Sequence, residues 1–190
     1  MKKSELRTYY LEQRRTLSPK ERLWASQKIV ENFILQFNPI ENQCVHCFLP
    51  IDKFAEIETQ PLIDYCFQHH IRVFVPKMVQ EALIAIELTP DTILQKNKWG
   101  IREPLSQQDS GIINFDYVIT PLLYCDDQGN RVGYGKGFYD RLFQKVPPTT
   151  KKIGVNYFPP SEAIEDVWHE DIPLDYLITP TEVLSFGGAV

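Results

Sequence analysis

Apolar residues along the chain change spacing several times, and the changes mark out the elements. From Lys3 to Leu17 they recur at Leu6, Tyr10 and Leu17, which predicts a helix. Ser18-Pro19 then offers an N-cap and a first-turn proline for a second helix to about Phe37. Val45–Leu49 is an unbroken apolar run, Thr59–His69 is helical, and Ile71–Val75 is a β-branched run closed by Pro76. Together these three read as a βαβ unit. Leu83–Leu88 and Tyr117–Tyr124 read as strands, Asp126–Asn130 as a turn and Gly137–Lys145 as a helix. Lys152–Asn156 and Tyr176–Thr179 complete the set as strands. Strands alternating with helices predict an α/β layered fold with a largely parallel sheet. No repeat or linker-like tract interrupts the pattern, so a single domain over residues 1–190 is expected.

Composition narrows the function more than the fold. A chain of 190 residues can bury roughly 70% of its unfolded surface without disulfides or a structural metal. Apolar and charged fractions are ordinary, which excludes disordered and collagen-like chains. Twenty Lys and Arg against 25 Asp and Glu leave a net charge of −5, so the protein is no general coat for nucleic acid or anionic lipid. Any anion it binds must meet a local basic cluster. The opening Met1–Arg7 is basic but has no apolar run behind it, and no stretch approaches the ~18 apolar residues of a membrane span. A soluble, cytoplasmic monomer with no nucleic-acid or membrane partner is expected. The four cysteines include Cys44-x-x-Cys47, yet that pair falls in an apolar strand, where small buried thiols are expected rather than metal or redox chemistry.

The most informative segment is Arg131-Val132-Gly133-Tyr134-Gly135-Lys136-Gly137-Phe138-Tyr139-Asp140-Arg141. Three alternating glycines before a helix let successive N–H groups approach a phosphate, and Lys136 and Arg131 add positive charge. Asp140 would repel phosphate unless a cation lies between them; Mg²⁺ held by one or two carboxylates and phosphate oxygens resolves the conflict. Lys136 is followed by Gly137, which excludes a Walker loop, and Phe138 breaks the dinucleotide fingerprint. A ligand-free hairpin loop is the alternative, although three glycines in a bare turn lose conformational entropy without return. The first helix adds a second hint. At ~100° per residue, Lys3, Arg7 and Arg14 share an arc of roughly 40° beside the apolar arc of Leu6, Tyr10 and Leu17. That stripe is either a solvated basic face or half of an anion site.

With these segments in hand, the chain resembles the 5-formyltetrahydrofolate cyclo-ligase family, also called 5,10-methenyltetrahydrofolate synthetase. The likeness runs through Lys3-x-x-x-Arg7, Glu56-Ile57-Glu58-Thr59, Trp99-Gly100-Ile101-Arg102-Glu103-Pro104, the block from Gly129 to Arg141, and Asp171-Ile172-Pro173-Leu174-Asp175. It implies a three-layer α/β fold related to sugar-phosphate isomerase and CoA-transferase-like sheets. It also implies an ATP- and Mg²⁺-dependent ring closure in one-carbon metabolism, from 5-formyltetrahydrofolate to 5,10-methenyltetrahydrofolate, with release of ADP and phosphate.

Carried over by residue, the resemblance puts Lys3, Arg7 and the stretch Arg131, Gly133, Tyr134, Gly135, Lys136, Gly137, Phe138 and Tyr139 on ATP. Lys136, Tyr139 and Arg131 would serve the chemistry, Asp140 and Asp171 would hold Mg²⁺, and Glu56, Trp99 and Tyr139 would meet the folate, polyglutamylated or not. From the residues alone, Trp99 could be a core aromatic, Glu56 a solvated carboxylate at a helix start, and Glu103 a turn former before Pro104. None of His46, His69, His70 and His169 has a convincing partner in the sequence. Two rivals stand beside the cyclo-ligase: a non-catalytic binding module on the same fold, and a ligase for another formylated amine.

Overall fold

Helix α1 spans Lys3–Thr16 and α2 spans Pro19–Phe37, with one non-helical junction between them in a computed structural model that describes residues 1–80, 82–98 and 100–187. The junction forms as expected. Ser18 accepts from the Glu21 amide while Glu21 reaches back to the Ser18 amide, and Pro19 occupies the first turn. Asn38, in the left-handed region at φ 42°, ends α2.

The chain then lays down β1 (Cys44–His46), α3 (Gln60–Gln68), β2 (Arg72–Val79) and β3 (Ala82–Leu88). A small hairpin follows, β4 (Leu94–Lys96) with β5 (Arg102–Pro104), and after it β6 (Tyr117–Pro121). A second hairpin pairs β7 (Tyr124–Cys125) with β8 (Arg131–Val132), and α4 (Phe138–Phe143), β9 (Lys151–Val155), β10 (Tyr176–Ile178) and β11 (Val183–Ser185) complete the order. The main sheet runs β11-β10-β9-β6-β1-β2-β3. Its five inner strands are mutually parallel, and both edge strands, β3 and β11, are antiparallel to their neighbours.

Side chains alternate across the strands and divide the interior in two. Val45, Val73, Ile119, Ile153 and Ile178 point to the face covered by Ile29 and Phe33 of α2 and Leu62, Ile63 and Cys66 of α3. Phe74, Val118 and Leu177 point to the other face, covered by Phe143 of α4 and by Phe115 and Leu174. Each such fully buried side chain contributes about 1.5–3 kcal/mol relative to exposure. Gly154 is a packing necessity in this layer: an added Cβ would come within 2.5 Å of both Leu122 and Leu174. A third cluster fastens Leu6 and Tyr10 of α1 to Leu123, Tyr124 and Val132 of the second hairpin.

Several expected elements end differently. The apolar run Val45–Leu49 is strand only to His46, because the chain beyond it bends away: the Phe48 carbonyl accepts from the Thr59 hydroxyl, and the Ile51 amide donates to Glu56. Tyr117–Tyr124 splits at Pro121, and Tyr124 joins a hairpin whose turn is tied by the buried Asp126 carboxylate to the Gln128 and Asn130 amides. The short hairpin β4–β5 and the edge strand β11 have too few apolar positions to show a period. Arg14 is the largest departure. Grouped with the exposed cations by its angle, it is only 1% exposed and belongs with Leu6 and Tyr10 on the buried stripe.

Candidate active site

The strand order reverses between β1 and β6. The chain leaves β1 for β2 on one side and later continues from β6 to β9 on the other. In open parallel sheets the crevice beyond the carboxyl ends at such a reversal receives ligands, because the two outgoing loops diverge there. Here the loop leaving β1 carries Glu56, and the chain leaving β6 carries the glycine segment. Helix α1 packs on β7 and β8 and adds its cations to the same place.

One half of the site is a charged rim. Lys3 at the start of α1 pairs with Asp171, whose carboxylate also accepts from the Trp168 amide at 2.7 Å. Arg7, one turn on, donates through Nε to the Gly133 carbonyl at 2.9 Å, and its guanidinium lies 3.5 Å from where a Cβ on Gly135 would stand. Gly135 (φ +82°) and Gly137 (φ +63°) adopt left-handed conformations that side chains resist, so the turn around exposed Lys136 depends on them. Gly133 has no such requirement. Arg131 pairs with Asp140, donates to the Ile172 carbonyl and stacks over Phe143 at 4.7 Å. Asp140 also faces the Ile172 amide at 3.5 Å, which brings it near Asp171. Helix α4 is only six residues long, shorter than expected, so its dipole adds little to the charges of Lys3, Arg7, Arg131 and Lys136. Phe138 lies beneath the Arg141 guanidinium at 5.1 Å.

The other half is a dry polar floor. Glu56 is 9% exposed, and burial pushes its carboxyl above the usual range, opposed by the Ile51 amide, the Tyr134 hydroxyl and the Arg14 charge. Tyr134, expected among the ATP ligands, stacks on Phe54 at 4.4 Å and places its hydroxyl 3.2 Å from Arg14 and beside Glu56. Tyr139 keeps a partly exposed ring, but its hydroxyl is sealed from water with no hydrogen-bond partner. Burial raises its pKa far above normal, and nearby Glu56 raises it further. Buried polar atoms rarely stay unpaired. The described residues hold three such side-chain atoms, Tyr139 Oη, Arg14 Nε and His46 Nδ1. Two border Glu56, and His46 stands edge-on to Tyr139 at 6.3 Å. Sequence reasoning placed Arg14 on the exposed face and overlooked Asn156 and Tyr157, which follow β9 and hold it. The angular signal did not separate it: Arg14 lies about 40° from Tyr10 around the helix, and Lys3 lies about 20° from it.

The remaining candidates sort simply. Trp99 lies outside the described residues. Glu103 is tied to Lys77, which is nearly buried, and to Asn97, a structural bond in the β4–β5 region. His169 is exposed beside Glu170. All four cysteines are free and buried, and burial pushes the Cys47 and Cys66 thiols up to about 12, far from reactive thiolates. A cleft of about 530 Å³ opens elsewhere, between Arg72, Glu87, Ile93 and Leu105, where Arg72 and Glu87 satisfy one another. None of the three unpaired polar atoms belongs to a residue lining that cleft. Among the described residues no three His, Cys, Asp or Glu side chains form a metal cage. The pair Asp140 and Asp171 suits Mg²⁺ that brings phosphate oxygens with it.

Comparison with known proteins gives the family. The 5-formyltetrahydrofolate cyclo-ligase family matches residues 1–180. The 5-formyltetrahydrofolate cyclo-ligase of Escherichia coli K12 is 31% identical over 179 residues, covering 90% of this chain and 97% of that one. The solution structure of Aquifex aeolicus 5,10-methenyltetrahydrofolate synthetase superposes with a TM-score of 0.82 at 29% identity, over 100% of this chain and 96% of the other. The Mycoplasma pneumoniae 5,10-methenyltetrahydrofolate synthetase shares the fold, with a TM-score of 0.74 at 23% identity over 95% and 99% of the two chains. Matched by the family from residue 1 to 180, and nearly a third identical to a member over nine-tenths of its own length, the chain belongs to the 5-formyltetrahydrofolate cyclo-ligase family.

Proposed function

We propose that the protein converts 5-formyltetrahydrofolate and ATP into 5,10-methenyltetrahydrofolate, ADP and phosphate. The observation that carries this reading is the Tyr139 hydroxyl, buried without a partner where the rim meets the floor. A formyl oxygen at that point would complete its hydrogen bonding. That oxygen is a poor leaving group, so ring closure needs it activated. It attacks the γ-phosphorus, ADP departs, and an O-phosphorylated iminium carbon results. N10 adds to that carbon, loses its proton, and phosphate leaves with the C–O bond electrons to give the methenyl bridge.

The protein's own work is positioning and charge neutralisation. Lys3, Arg7, Arg131 and Lys136 face the phosphates. Gly135 and Gly137 let the backbone approach them, with Gly133, Tyr134 and Phe138 in the same loop. Asp140 and Asp171 would hold Mg²⁺, which supplies charge neutralisation to the phosphate oxygens. Glu56 accepts from the folate head, with Trp99 as its aromatic face. Both carboxylates are paired to cations in the free protein, so nucleotide and metal would exchange partners with them: phosphate takes Lys3 and Arg131, and the metal takes the acids. A cytoplasmic monomer of one domain completes the reading; among the described residues no helix is long and apolar enough to cross a membrane.

The test is to mix purified protein, Mg-ATP and 5-formyltetrahydrofolate and follow the methenyl chromophore together with ADP release. Product in equal amount with ADP is expected. ATP binding with no product would favour the binding-module reading, and product from another formylated amine alone would favour the third.

A further inference from the structure

Arg14 is a cation with almost no access to water, and no role given so far accounts for it. Burying an unpaired guanidinium is costly, so its surroundings should neutralise it. Among the described residues no carboxylate lies within ion-pair distance. Instead Nη2 donates to the Leu122 carbonyl and, at 3.3 Å, to Asn156 Oδ1, and the guanidinium lies over the Tyr157 ring at 5.5 Å. Nη1 donates to the Tyr134 hydroxyl at 3.2 Å. The acid it feels electrostatically is Glu56, on the far side of that hydroxyl.

Resting on the reading of Glu56 as the folate-side acceptor, we propose that Arg14 is a positioning residue of the folate pocket, holding Glu56 in place through Tyr134 and Tyr157. The geometry clamps Glu56 from two directions. Its carboxylate has the Ile51 amide at 2.7 Å on one side and Tyr134 on the other, while its main-chain carbonyl accepts from Tyr157 at 3.1 Å. Tyr134 and Tyr157 both rest on Arg14, so one side chain at the buried end of α1 supports both arms. With its acceptor lone pair held by Arg14, the Tyr134 hydroxyl has its proton left for Glu56.

The arrangement answers a chemical need. A folate head presents N–H donors, and a carboxyl that has taken up a proton loses part of its accepting capacity and becomes a donor itself. Burial pushes Glu56 toward that protonated state, and Arg14 opposes the push. The groups facing Glu56 are Arg14 from α1, Tyr134 from the loop after β8, Tyr139 from α4, and Tyr157 from the segment after β9. Arg14 carries the positive charge among them, and the three tyrosines are neutral. Removing it therefore raises the Glu56 pKa, and folate affinity fails at a higher pH than before.

The test measures equilibrium binding of 5-formyltetrahydrofolate without ATP, by calorimetry from pH 5 to 8, for wild type, Arg14→Met, Arg14→Lys, Tyr134→Phe and Glu56→Gln. In Arg14→Met the acid-side loss of affinity should move up by about one pH unit, with binding about tenfold weaker at pH 7. Arg14→Lys should recover much of both effects. Tyr134→Phe removes a single oxygen, can keep the stack on Phe54, and should move the limb in the same direction by less; it keeps the test open if Arg14→Met does not fold. Binding of ATP should change less than binding of folate. An acid limb unmoved in Tyr134→Phe and in whichever Arg14 variants fold, while Glu56→Gln binds folate weakly, would overturn the proposal. Glu56→Gln binding as tightly as wild type would remove its premise, and the proposal with it.

Discussion

The rim and the floor of the site are built from the same kinds of residue under opposite conditions. On the rim, Lys136 is exposed, Lys3 and Asp171 neutralise one another, and Arg131 and Asp140 do the same. Water and ions screen Lys136, and each member of the two pairs has a partner that a ligand can replace. On the floor, Glu56, Arg14 and the Tyr139 hydroxyl are sealed from water, and two of their polar atoms have no partner. Rim contacts are exchangeable and tolerant of small errors. Floor contacts are few, and each unmet atom carries its full desolvation penalty. The two halves suit different ligands: a flexible, highly charged one at the rim, and a rigid neutral head with fixed donors and an acceptor at the floor.

The largest effects should come from breaking the rim's chemistry. Lys136→Ala and Asp140→Asn should each lower kcat by about 10²–10³-fold, as for other transition-state charge contacts. Melting temperature should change little, since Lys136 is exposed and the amide introduced by Asp140→Asn could still accept from Arg131. Full activity in both variants would remove the phosphate seat. Tyr139→Phe probes the floor and should separate function from stability. Turnover should fall about tenfold to a hundredfold, while stability stays level or rises, because the variant deletes a buried hydroxyl that has no partner. A clear loss of stability with normal kcat would mean that the hydroxyl serves the fold.

The two halves were unequally legible in the sequence. Most rim residues lie in or beside two short local patterns, Lys3-x-x-x-Arg7 and Gly133-x-Gly135-x-Gly137, so spacing brought them forward, while Asp171 came only with the family resemblance. The floor is assembled over long separations: Arg14 touches Leu122, Tyr134 and Asn156, and Tyr157 reaches Glu56. No periodicity encodes those meetings. The βαβ unit and the inner parallel strands were readable because each buries a continuous apolar run. Where the chain leaves β1 and β6 to build the site, apolar runs continue but the strands stop, since the Phe48 carbonyl, the Ile51 amide and the Leu122 carbonyl bond to side chains.

His46 gives the dry side a signature in stability. It is 1% exposed, and burial holds its imidazole pKa down to about 3. Below pH 6.5 the unfolded chain takes up a proton that the folded chain refuses, so stability should fall with decreasing pH by about 1.4 kcal/mol per unit until pH 3 is approached. Glu56 acts with the opposite sign, because its raised pKa lets the folded state bind the proton first. The informative quantity is therefore the difference between His46→Leu and wild type, measured by urea unfolding at pH 7 and pH 5.5. The variant should gain on wild type by about 1 kcal/mol over that interval. Equal slopes would mean that His46 is hydrated in solution.

The smallest effect tests whether a cation–carboxylate pair by itself marks function. Lys77 and Glu103 stand 3.7 Å apart, a looser contact than either rim pair but of the same cation–carboxylate kind. Their setting differs. Lys77 is 6% exposed and also donates to the Pro104 and Ser106 carbonyls, so it anchors β5 to β2 whatever Glu103 does. Glu103→Gln should therefore cost about 1 kcal/mol of stability, less than a fully broken buried pair, because two neutral acceptors remain. Neither KM nor kcat should move. The rim pairs, whose partners a ligand must take over, should behave in the reverse way. A folate KM raised several-fold in Glu103→Gln would mean that this pair serves the substrate as well as the fold.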